Sequence, residues 1–384
     1  MNISDVMPVT PADIQSGGNP DKKENRIRLP LFCKILYGIA GLSLVIYIIC
    51  CCSKNFSDFF CRYIASGPRA VLAWITSWIP FSLGEALLLL LPVIVTYFLV
   101  YAFRYSSSTW HDAFVTCGIL LSVIALMFTL FVFTLATGYK GHTLDEKMEL
   151  DRQDCSAQDL YDTAVILRDL VNEEAGNLNI NSSGSSVMPY NYEEMSDRLM
   201  EAYDAACEKY GFIQKLHSRV KPVMLSEPWT YTHITGVYSF FTGEANININ
   251  MPDYTVPYTA AHEFAHQRGI AREDEANFVA FLVCLESDDS YIRYSGLLSM
   301  YEYVSNSLYS ADYDLWLSVR SGLDQNAISE MSAYNTFFAK YRTNTVAKVS
   351  SAVNDTFLKA QGTQGEKSYG LVVDLAVAYY KSAD

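Results

Sequence analysis

The chain has 384 residues, half of them hydrophobic, and a formal net charge of −14. The charge is uneven: residues 1–139 hold nine basic and seven acidic side chains (+2), whereas residues 140–384 hold 19 basic and 35 acidic ones (−16). So acidic a region repels phosphate backbones, which excludes nucleic acid as a partner. The nine cysteines show no metal-ligand spacing, so neither a disulfide scaffold nor a cysteine metal site is predicted.

The first third of the chain contains three long apolar stretches without charge. They cover residues 35–52, 86–103 and 113–139, and each is long enough to cross a hydrocarbon core of about 30 Å. We therefore predict a cytoplasmic tail over residues 1–30. A multi-pass membrane region with three transmembrane helices, in contact with membrane lipid, is predicted over residues 31–139.

Basic residues before the first apolar stretch set the expected orientation. They are Lys22, Lys23, Arg26, Arg28 and Lys34. Such clusters favour the cytoplasmic side, so three crossings would place residues 140–384 outside the cytoplasm. Basic residues in the later loops do not follow this rule cleanly, and the predicted topology therefore depends on the N-terminal cluster.

Residues 66–82 form a shorter apolar segment. Trp74 and Trp78 are at i and i+4, and tryptophan favours the membrane–water interface. We predict a short helix that lies at this interface. If the segment crossed the membrane instead, the predicted topology would invert.

The remaining sequence shows mainly helical patterns. Apolar residues recur at helical spacing in five segments: 145–177, 192–211, 291–309, 315–347 and 368–380. Strands are predicted over 220–223 and 237–249, and a loop over 178–192. The predicted fold class is α+β, with N-terminal transmembrane helices followed by a mostly helical domain with a small sheet over residues 140–384.

The most informative motif is His-Glu-x-x-His at residues 262–266. On a helix, His262 and His266 lie one turn apart on one face, so both imidazoles can bind one Zn²⁺ ion. Glu263 lies between them and can take a proton from a metal-bound water. A surface helix could carry the same letters, but residues 258–265 are mostly apolar and Gly269 is suited to end the helix, which favours a buried metal-binding helix.

A second predicted helix, beginning near residue 271, supplies a third ligand. Glu273 and Asn277 share one face of it. Glu273 could bind the metal, and Asn277 could accept a hydrogen bond from the outer nitrogen of a ligand histidine. Glu275 is the alternative third ligand. The acidic run could also serve only to stabilise a helix N-terminus.

Further side chains are predicted to bind substrate. The expected substrate strand comprises Gly243, Glu244, Ala245 and Asn246. An extended peptide could pair with such a strand at a sheet edge. Tyr294 and His233, and also Tyr238, could donate a hydrogen bond to a developing oxyanion. The structural alternatives are a strand with asparagines facing water and tyrosines, of which the chain has 27, that only pack.

The residues Glu-x-x-Ala-Asn at 273–277 are similar to the Glu-x-x-Ala-Asp helix of the gluzincins, including the membrane-embedded CAAX-prenyl-protease type. In that family the glutamate is the third zinc ligand and the aspartate supports the ligands without binding the metal. The resemblance implies these roles for Glu273 and Asn277. The chain departs from the pattern, because only six residues separate His266 from Glu273. Arg272 stands where the metzincin pattern H-E-x-x-H-x-x-G-x-x-H has its third histidine, and arginine cannot bind zinc at neutral pH.

A wider block resembles a bacterial family of membrane-anchored zincin-like proteins catalogued as a domain of unknown function. The block comprises Lys221-Pro222-Val223, residues 241–246, residues 262–266, Gly269, residues 273–278 and Tyr294-Ser295-Gly296. The likeness extends more weakly from the first apolar stretch to Ser368-Tyr369-Gly370. It implies a zincin-like metallopeptidase domain over residues 140–384.

Two functions are compatible with these patterns. The favoured one is a membrane-anchored zinc metalloendopeptidase of the cell membrane that hydrolyses a protein or peptide substrate, with Glu263 as the general base. The alternative is a non-catalytic membrane sensor or scaffold that keeps a structural zinc site. A transporter is disfavoured, because no charged residue lies within the three apolar stretches.

Overall fold

Helices make up most of the molecule. The structure is a computed structural model that describes residues 28–105, 110–176 and 178–382, so the predicted tail up to residue 27 lies outside it. The N-terminal helices are α1 (Leu31–Cys52), α2 (Lys54–Phe59), α3 (Ser66–Ser77), α4 (Leu83–Tyr105) and α5 (Trp110–Thr134). They are followed by α6 (Leu144–Met148), α7 (Ala157–Ala175), α8 (Tyr192–Lys209), α9 (Ser226–Thr230), α10 (Thr255–Gln267), α11 (Glu273–Leu285), α12 (Ser290–Ala311), α13 (Tyr313–Ser321), α14 (Gln325–Ala339), α15 (Thr345–Ala360) and α16 (Val372–Ser382).

Three of the described helices are long and apolar enough to cross a membrane. The qualifying segments are Leu31–Cys52, Leu83–Tyr101 and Ala113–Thr134, close to the three predicted stretches. The third is shorter than predicted, because the chain leaves the helix at Leu135 and forms a 3₁₀ turn over Ala136–Lys140. Helices α1 and α5 pack against each other, whereas only 6% of the apolar segment of α4 is buried against the rest of the molecule. The three helices are consistent with association with a membrane.

Helix α3 has 12 residues, and at 1.5 Å per residue it is about 18 Å long, too short to cross a bilayer. Trp74 and Trp78 are 62% and 75% exposed, which leaves both rings accessible to a membrane surface. The position of α3 at the membrane interface stays a prediction. Arg69 on the same helix is fully buried. Its guanidinium donates to the carbonyl of Cys61 at 2.6 Å and to Gln214 Oε1 at 2.9 Å, which attaches α3 to the large region.

The sheet has three short strands: β1 (Lys221–Pro222), β2 (Gly236–Ser239) and β3 (Glu244–Ile247). Their order is β1-β3-β2, with β1 parallel and β2 antiparallel to β3. The continuous strand predicted over residues 237–249 is therefore wrong. Gly243 has a φ of 74° and donates its N–H to the carbonyl of Ser239 at 2.7 Å, so the chain reverses and forms a hairpin.

Two long predicted helices are divided in the structure. The segment 145–177 forms α6 and α7, because Glu149 adopts a left-handed φ of 56° and Ser156 begins α7 with a capping box. The segment 315–347 forms α13, α14 and the start of α15. Asp324 and Asn344 each accept a hydrogen bond from the first turn of the next helix and so set where it begins. A mostly helical fold with a small sheet is confirmed, and its likeness to zincins stays a proposal.

Helices α10 and α11 lie at the centre of the molecule. Almost every residue of both helices is buried, and α10 packs against α11, α12, β2 and β3. Their polar residues include His262, His266 and Glu273, each of which is no more than 9% exposed as a whole residue. Buried polar and charged groups are costly unless they are paired or bind an ion, so this pair of helices contains the candidate site.

Candidate metal centre

Helices α10 and α11 bring two imidazoles and one carboxylate together. The Nε2 atoms of His262 and His266 lie 3.0 Å apart. Glu273 Oε2 lies 3.2 Å from the Nε2 of His262 and 3.4 Å from that of His266. Among the residues that the structure describes, this is the one group of three His, Cys, Asp or Glu side chains whose ligand atoms all lie within 4.8 Å. We call these three residues the metal group.

The backbone after α10 orients one of the two histidines. Gly269 has a φ of 90°, which turns the chain so that the carbonyl of Ile270 faces back toward the helix. His266 Nδ1 lies 2.7 Å from this carbonyl oxygen and donates to it. In the neutral ring, Nε2 then carries the lone pair and points into the metal group. The Nδ1 atom of His262 is buried without a hydrogen-bond partner.

The electrostatics of the metal group favour a cation. Burial alone would raise the pKa of the Glu273 carboxyl, but His266 and His262 hold it below its ordinary value. Burial would lower the pKa of His266, yet Glu273 and Glu263 raise it to about 9. Two histidine nitrogens and one carboxylate oxygen are also the donor set of many catalytic zinc sites, which leave one position for water. The residues present therefore fit a zinc ion.

Glu263 lies next to the metal group but is not part of it. Its side chain is buried at 4% exposure, and Oε2 has no hydrogen-bond partner. The pKa of Glu263 lies above its ordinary value, because burial raises it more than the neighbouring histidines lower it. A Cβ atom placed on Gly236 of β2 would lie only 2.6 Å from Glu263 Oε1, so a glycine is required at this contact. An unpartnered buried carboxylate oxygen beside two histidines can accept a proton from a bound water.

The two other acidic-helix residues do not contact the histidines as predicted. Glu275, the alternative third ligand, lies elsewhere: its Oε1 accepts hydrogen bonds from Leu144 N and from the Arg272 guanidinium, each at 3.0 Å. Asn277 has a buried amide nitrogen without a partner, and its backbone carbonyl accepts from the hydroxyl of Tyr258 at 3.0 Å. No hydrogen bond joins Asn277 to a histidine of the metal group. The outer nitrogen of His266 instead uses the carbonyl of Ile270.

Two of the predicted oxyanion donors, His233 and Tyr294, have their neighbours outside the metal group. His233 Nε2 lies 2.7 Å from the carbonyl of Tyr341, and its ring packs 4.9 Å from that of Phe338. Tyr294 is buried, and after burial the charge of Glu330 contributes most to raising its pKa. The Tyr238 hydroxyl is buried without a hydrogen-bond partner, while its backbone N–H lies near Glu263 and favours the ionised carboxylate. The geometry therefore does not support His233 or Tyr294 as donors.

The charge of Glu273 acts on three tyrosines that the sequence did not single out as donors. Burial, and then the negative charge of Glu273, raise the pKa of Tyr139, Tyr303 and Tyr369; for Tyr303 the value is about 12. Glu263 also contributes to raising the pKa of Tyr369. The three come from the 3₁₀ turn after α5, from α12 and from the turn before α16, so no spacing in the sequence links them to the motif. Their protonated hydroxyls are available as hydrogen-bond donors.

A family comparison covers most of the molecule. The model of a family described as "Protein of unknown function (DUF3810)" matches residues 60–377, which include the whole metal group. The chain belongs to the DUF3810 family. No curated protein and no solved structure matches it. Membership of a family of unknown function is therefore confirmed, whereas the likeness to gluzincins and CAAX-type proteases stays a prediction from the motif alone.

Three of the four residues of the predicted substrate strand lie in a strand of this DUF3810 protein, and their role toward a substrate stays a prediction. Gly243 lies in the hairpin turn, and Glu244, Ala245 and Asn246 belong to β3, which pairs with β1 on one side and β2 on the other. Asn246 is paired on both sides and cannot accept an extended peptide, whereas Glu244 and Ala245 are paired with β2 alone. Strand β2 lies at an edge of the sheet, and its Gly236 contacts Glu263. The edge of β2 is thus the strand edge nearest the metal group.

Proposed function

We propose that this DUF3810 protein is a membrane-anchored zinc-dependent metallopeptidase. His262, His266 and Glu273 would hold the zinc ion. The observation that carries the proposal is the convergence of their three ligand atoms within 4.8 Å, next to Glu263, whose Oε2 has no hydrogen-bond partner among the described residues. Zinc bound there would supply a Lewis acid and lower the pKa of a water molecule. Glu263 would take a proton from the attacking water and pass it to the leaving amine of a peptide bond.

The surroundings of the metal group support the same chemistry. The free edge of β2 could align an extended protein or peptide substrate beside Glu263. The hydroxyls of Tyr139, Tyr303 and Tyr369 could donate to the oxyanion that forms during hydrolysis. Three apolar helices would anchor the chain in the cell membrane, with the large acidic region outside the cytoplasm. Substrates would therefore be proteins or peptides near the outer membrane face.

A sensor or scaffold with a structural zinc site is the alternative. The low exposure of the three ligand side chains, 9–11%, favours it, because structural zinc sites are closed. A closed site needs a fourth ligand, and the residue expected to supply one, Glu275, is bonded to Arg272 and Leu144 instead. A non-catalytic site also has no use for a buried carboxylate beside the metal group, such as that of Glu263.

Metal content and hydrolysis, measured together, test the proposal. The full chain in detergent would be compared with His262→Ala/His266→Ala and with Glu263→Gln. We expect about one zinc per chain, lost in the double variant and kept in Glu263→Gln. Chelator-sensitive cleavage of a mixed peptide library, detected by mass spectrometry, should fall by roughly 10²–10⁴-fold in Glu263→Gln.

Each outcome of this comparison has a definite meaning. A folded chain without zinc would contradict the metal site itself. Zinc retained with full hydrolysis in Glu263→Gln would contradict the mechanism. Zinc without hydrolysis in the wild-type chain would favour the sensor or scaffold.

A further inference from the structure

Helix α15 exposes an apolar stripe to the surroundings. Val346, Val349, Val353 and Phe357 recur at helical spacing and are 53%, 59%, 65% and 39% exposed. The neighbouring positions 350, 352 and 356 carry serine, alanine and threonine, so no charged side chain interrupts the stripe. The opposite face packs inward. A surface helix of a soluble protein has the reverse arrangement, with its apolar side on the core.

The C-terminal end of α15 is attached where two of the apolar helices leave their membrane segments. The ring of Phe357 lies 6.1 Å from that of Phe131, three residues before the end of α5, and 6.5 Å from that of Tyr139. Lys140 donates to the carbonyl of Gln361 at 2.7 Å and lies 5.8 Å from the ring of Tyr47 on α1. The apolar stripe is thus continuous with the membrane end of α5.

We propose that α15 is a membrane-surface helix whose stripe, Val346, Val349, Val353 and Phe357, is buried in a phospholipid bilayer. We assign lipid as the partner of the stripe, because the stripe is continuous with the surface of α5 that a bilayer would already cover. Lys348 and Lys359 lie on the side of α15 away from the stripe, so the stripe itself contains no lysine. Lys359 pairs with Asp355 at 2.7 Å, and no ion pair involves Lys348 among the described residues.

The inner face of α15 connects the bilayer to the metal group. Asn354 donates to the hydroxyl of Tyr369 at 3.3 Å, and Ser351 donates to Glu366 Oε2 at 2.7 Å. Tyr369 is one of the three tyrosines on which the charge of Glu273 acts. A helix held on the lipid surface would therefore also hold the turn that contains Glu366 and Tyr369. The lipid contact itself requires neither zinc nor hydrolysis, so its test is independent of the proposed function.

Site-specific photo-crosslinking in the native membrane tests this inference. The full chain would carry benzoylphenylalanine at Val349, at Val353 or, as the matched control outside the stripe, at Lys348. Leu42 on α1, 60% exposed within a candidate membrane helix, is the positive control. We expect phospholipid adducts at Val349 and Val353 at a level similar to Leu42 and severalfold above Lys348. These positions are exposed, so the label does not disturb folding.

Two results would overturn the inference. One is a crosslink from Val349 or Val353 to a second copy of the chain or to another protein, which would make the stripe a protein interface. The other is an absence of lipid adducts at both positions while Leu42 yields them, which would leave the stripe in water. Hydrogen exchange of residues 345–360 gives a second measurement. In lipid nanodiscs, exchange of these residues should be severalfold slower in the wild-type chain than in the Val349→Asp/Val353→Asp variant. Equal exchange rates would also contradict the proposal.

Discussion

Gly236 controls how closely β2 approaches the general base proposed here. The missing side chain lets the strand lie against Glu263, and the nearest atoms to an added Cβ would be Oε1 and Cγ of Glu263, at 2.6 and 2.8 Å, and a methyl group of Thr259 at 2.9 Å. All three belong to buried or closely packed side chains of α10. A larger residue must therefore displace the carboxylate rather than turn away from it.

We expect Gly236→Ala to keep its zinc and to lose hydrolysis by about 10²-fold or more, because a misplaced base loses its contribution to proton transfer. Metal content and library cleavage would be measured as for Glu263→Gln. Gly176→Ala is the matched control, since no atom lies within 4 Å of its added Cβ. Equal activity of Gly236→Ala and Gly176→Ala would remove Glu263 from the mechanism.

Burial also disfavours the ionised form of Glu302, which lies on α12. Burial, and then Glu330, raise its pKa to about 7, although the hydroxyl of Tyr254, 3.5 Å from Oε2, lowers it. None of the described lysines or arginines pairs with it. Because the folded pKa lies above the ordinary value of 4.5, the stability from this group is complete below about pH 4.5 and is lost as the pH rises through 7.

Glu302→Gln should therefore stabilise the chain at pH 8, by roughly 1–3 kcal/mol, and change it little at pH 5. The measurement is thermal unfolding of the full chain in detergent at both pH values. Glu208→Gln, at an exposed glutamate, is the control and should shift neither curve. A Glu302→Gln variant with the same pH dependence as the wild type would show that this carboxyl titrates normally.

At the scale of elements, two carboxylates attach α4 to the sheet region. Glu244 of β3 accepts from the backbone N–H groups of Leu83 and Gly84, at 3.0 and 2.8 Å. In return, Glu85 of α4 accepts from those of Met224 and Leu225, both at 2.8 Å. Hydrogen bonds to an ionised acceptor are stronger than neutral ones, and a negative charge also stabilises a helix N-terminus. This helix is otherwise mostly exposed, so the reciprocal pair holds its N-terminal end.

Exchanging either carboxylate for an amide should loosen only its own backbone partners. We expect Glu244→Gln to speed hydrogen exchange at residues 83 and 84 by about tenfold, equivalent to about 1.4 kcal/mol. Glu85→Gln is the reciprocal control and should speed exchange at residues 224 and 225 instead. Acceleration of both segments in both variants would indicate general destabilisation rather than two separate attachments.

Elements with strong local signals could be predicted from the sequence, and those set by long-range contacts could not. The histidine spacing and apolar flanks of α10 were sufficient to predict that helix and its two nitrogens. The hairpin was missed because its reversal depends on one positive φ, at Gly243, inside an alternating pattern. Helix α15 was missed because its valines and alanines give a weak pattern whose apolar side faces outward. The charge of Glu273 acts on Tyr139 and Tyr369 only through the tertiary fold.

At the scale of the whole molecule, the region after α5 is part of the same packed unit as the metal helix. Leu135 and Tyr139 form a buried cluster with Tyr238 and Ala271. Gly138 lies so close to the carbonyl of Gly269 that a side chain there would overlap with it. The acidic region therefore packs against residues that precede position 140, and we expect its folding to depend on them.

A fragment of residues 140–384 should consequently unfold about 10 °C below a fragment of residues 113–384, which keeps α5. The lost burial of Leu135 and Tyr139 corresponds to several kcal/mol, and each kcal/mol shifts the melting temperature by about 2–4 °C at this size. Circular dichroism of both fragments in the same detergent makes the comparison. Equal melting temperatures would show that the cluster contributes little.

The contact between Gly138 and Gly269 also has a consequence for substrate choice. Because the end of α5 contacts the loop after the metal helix directly, a membrane-spanning α5 would hold the metal group at a constant height above the bilayer. Under the proposed function, the protein would cleave substrates at a fixed distance from the membrane surface. A membrane-tethered substrate would be cut according to the length of its stalk, and one with a stalk too short or too stiff would escape cleavage whatever its sequence.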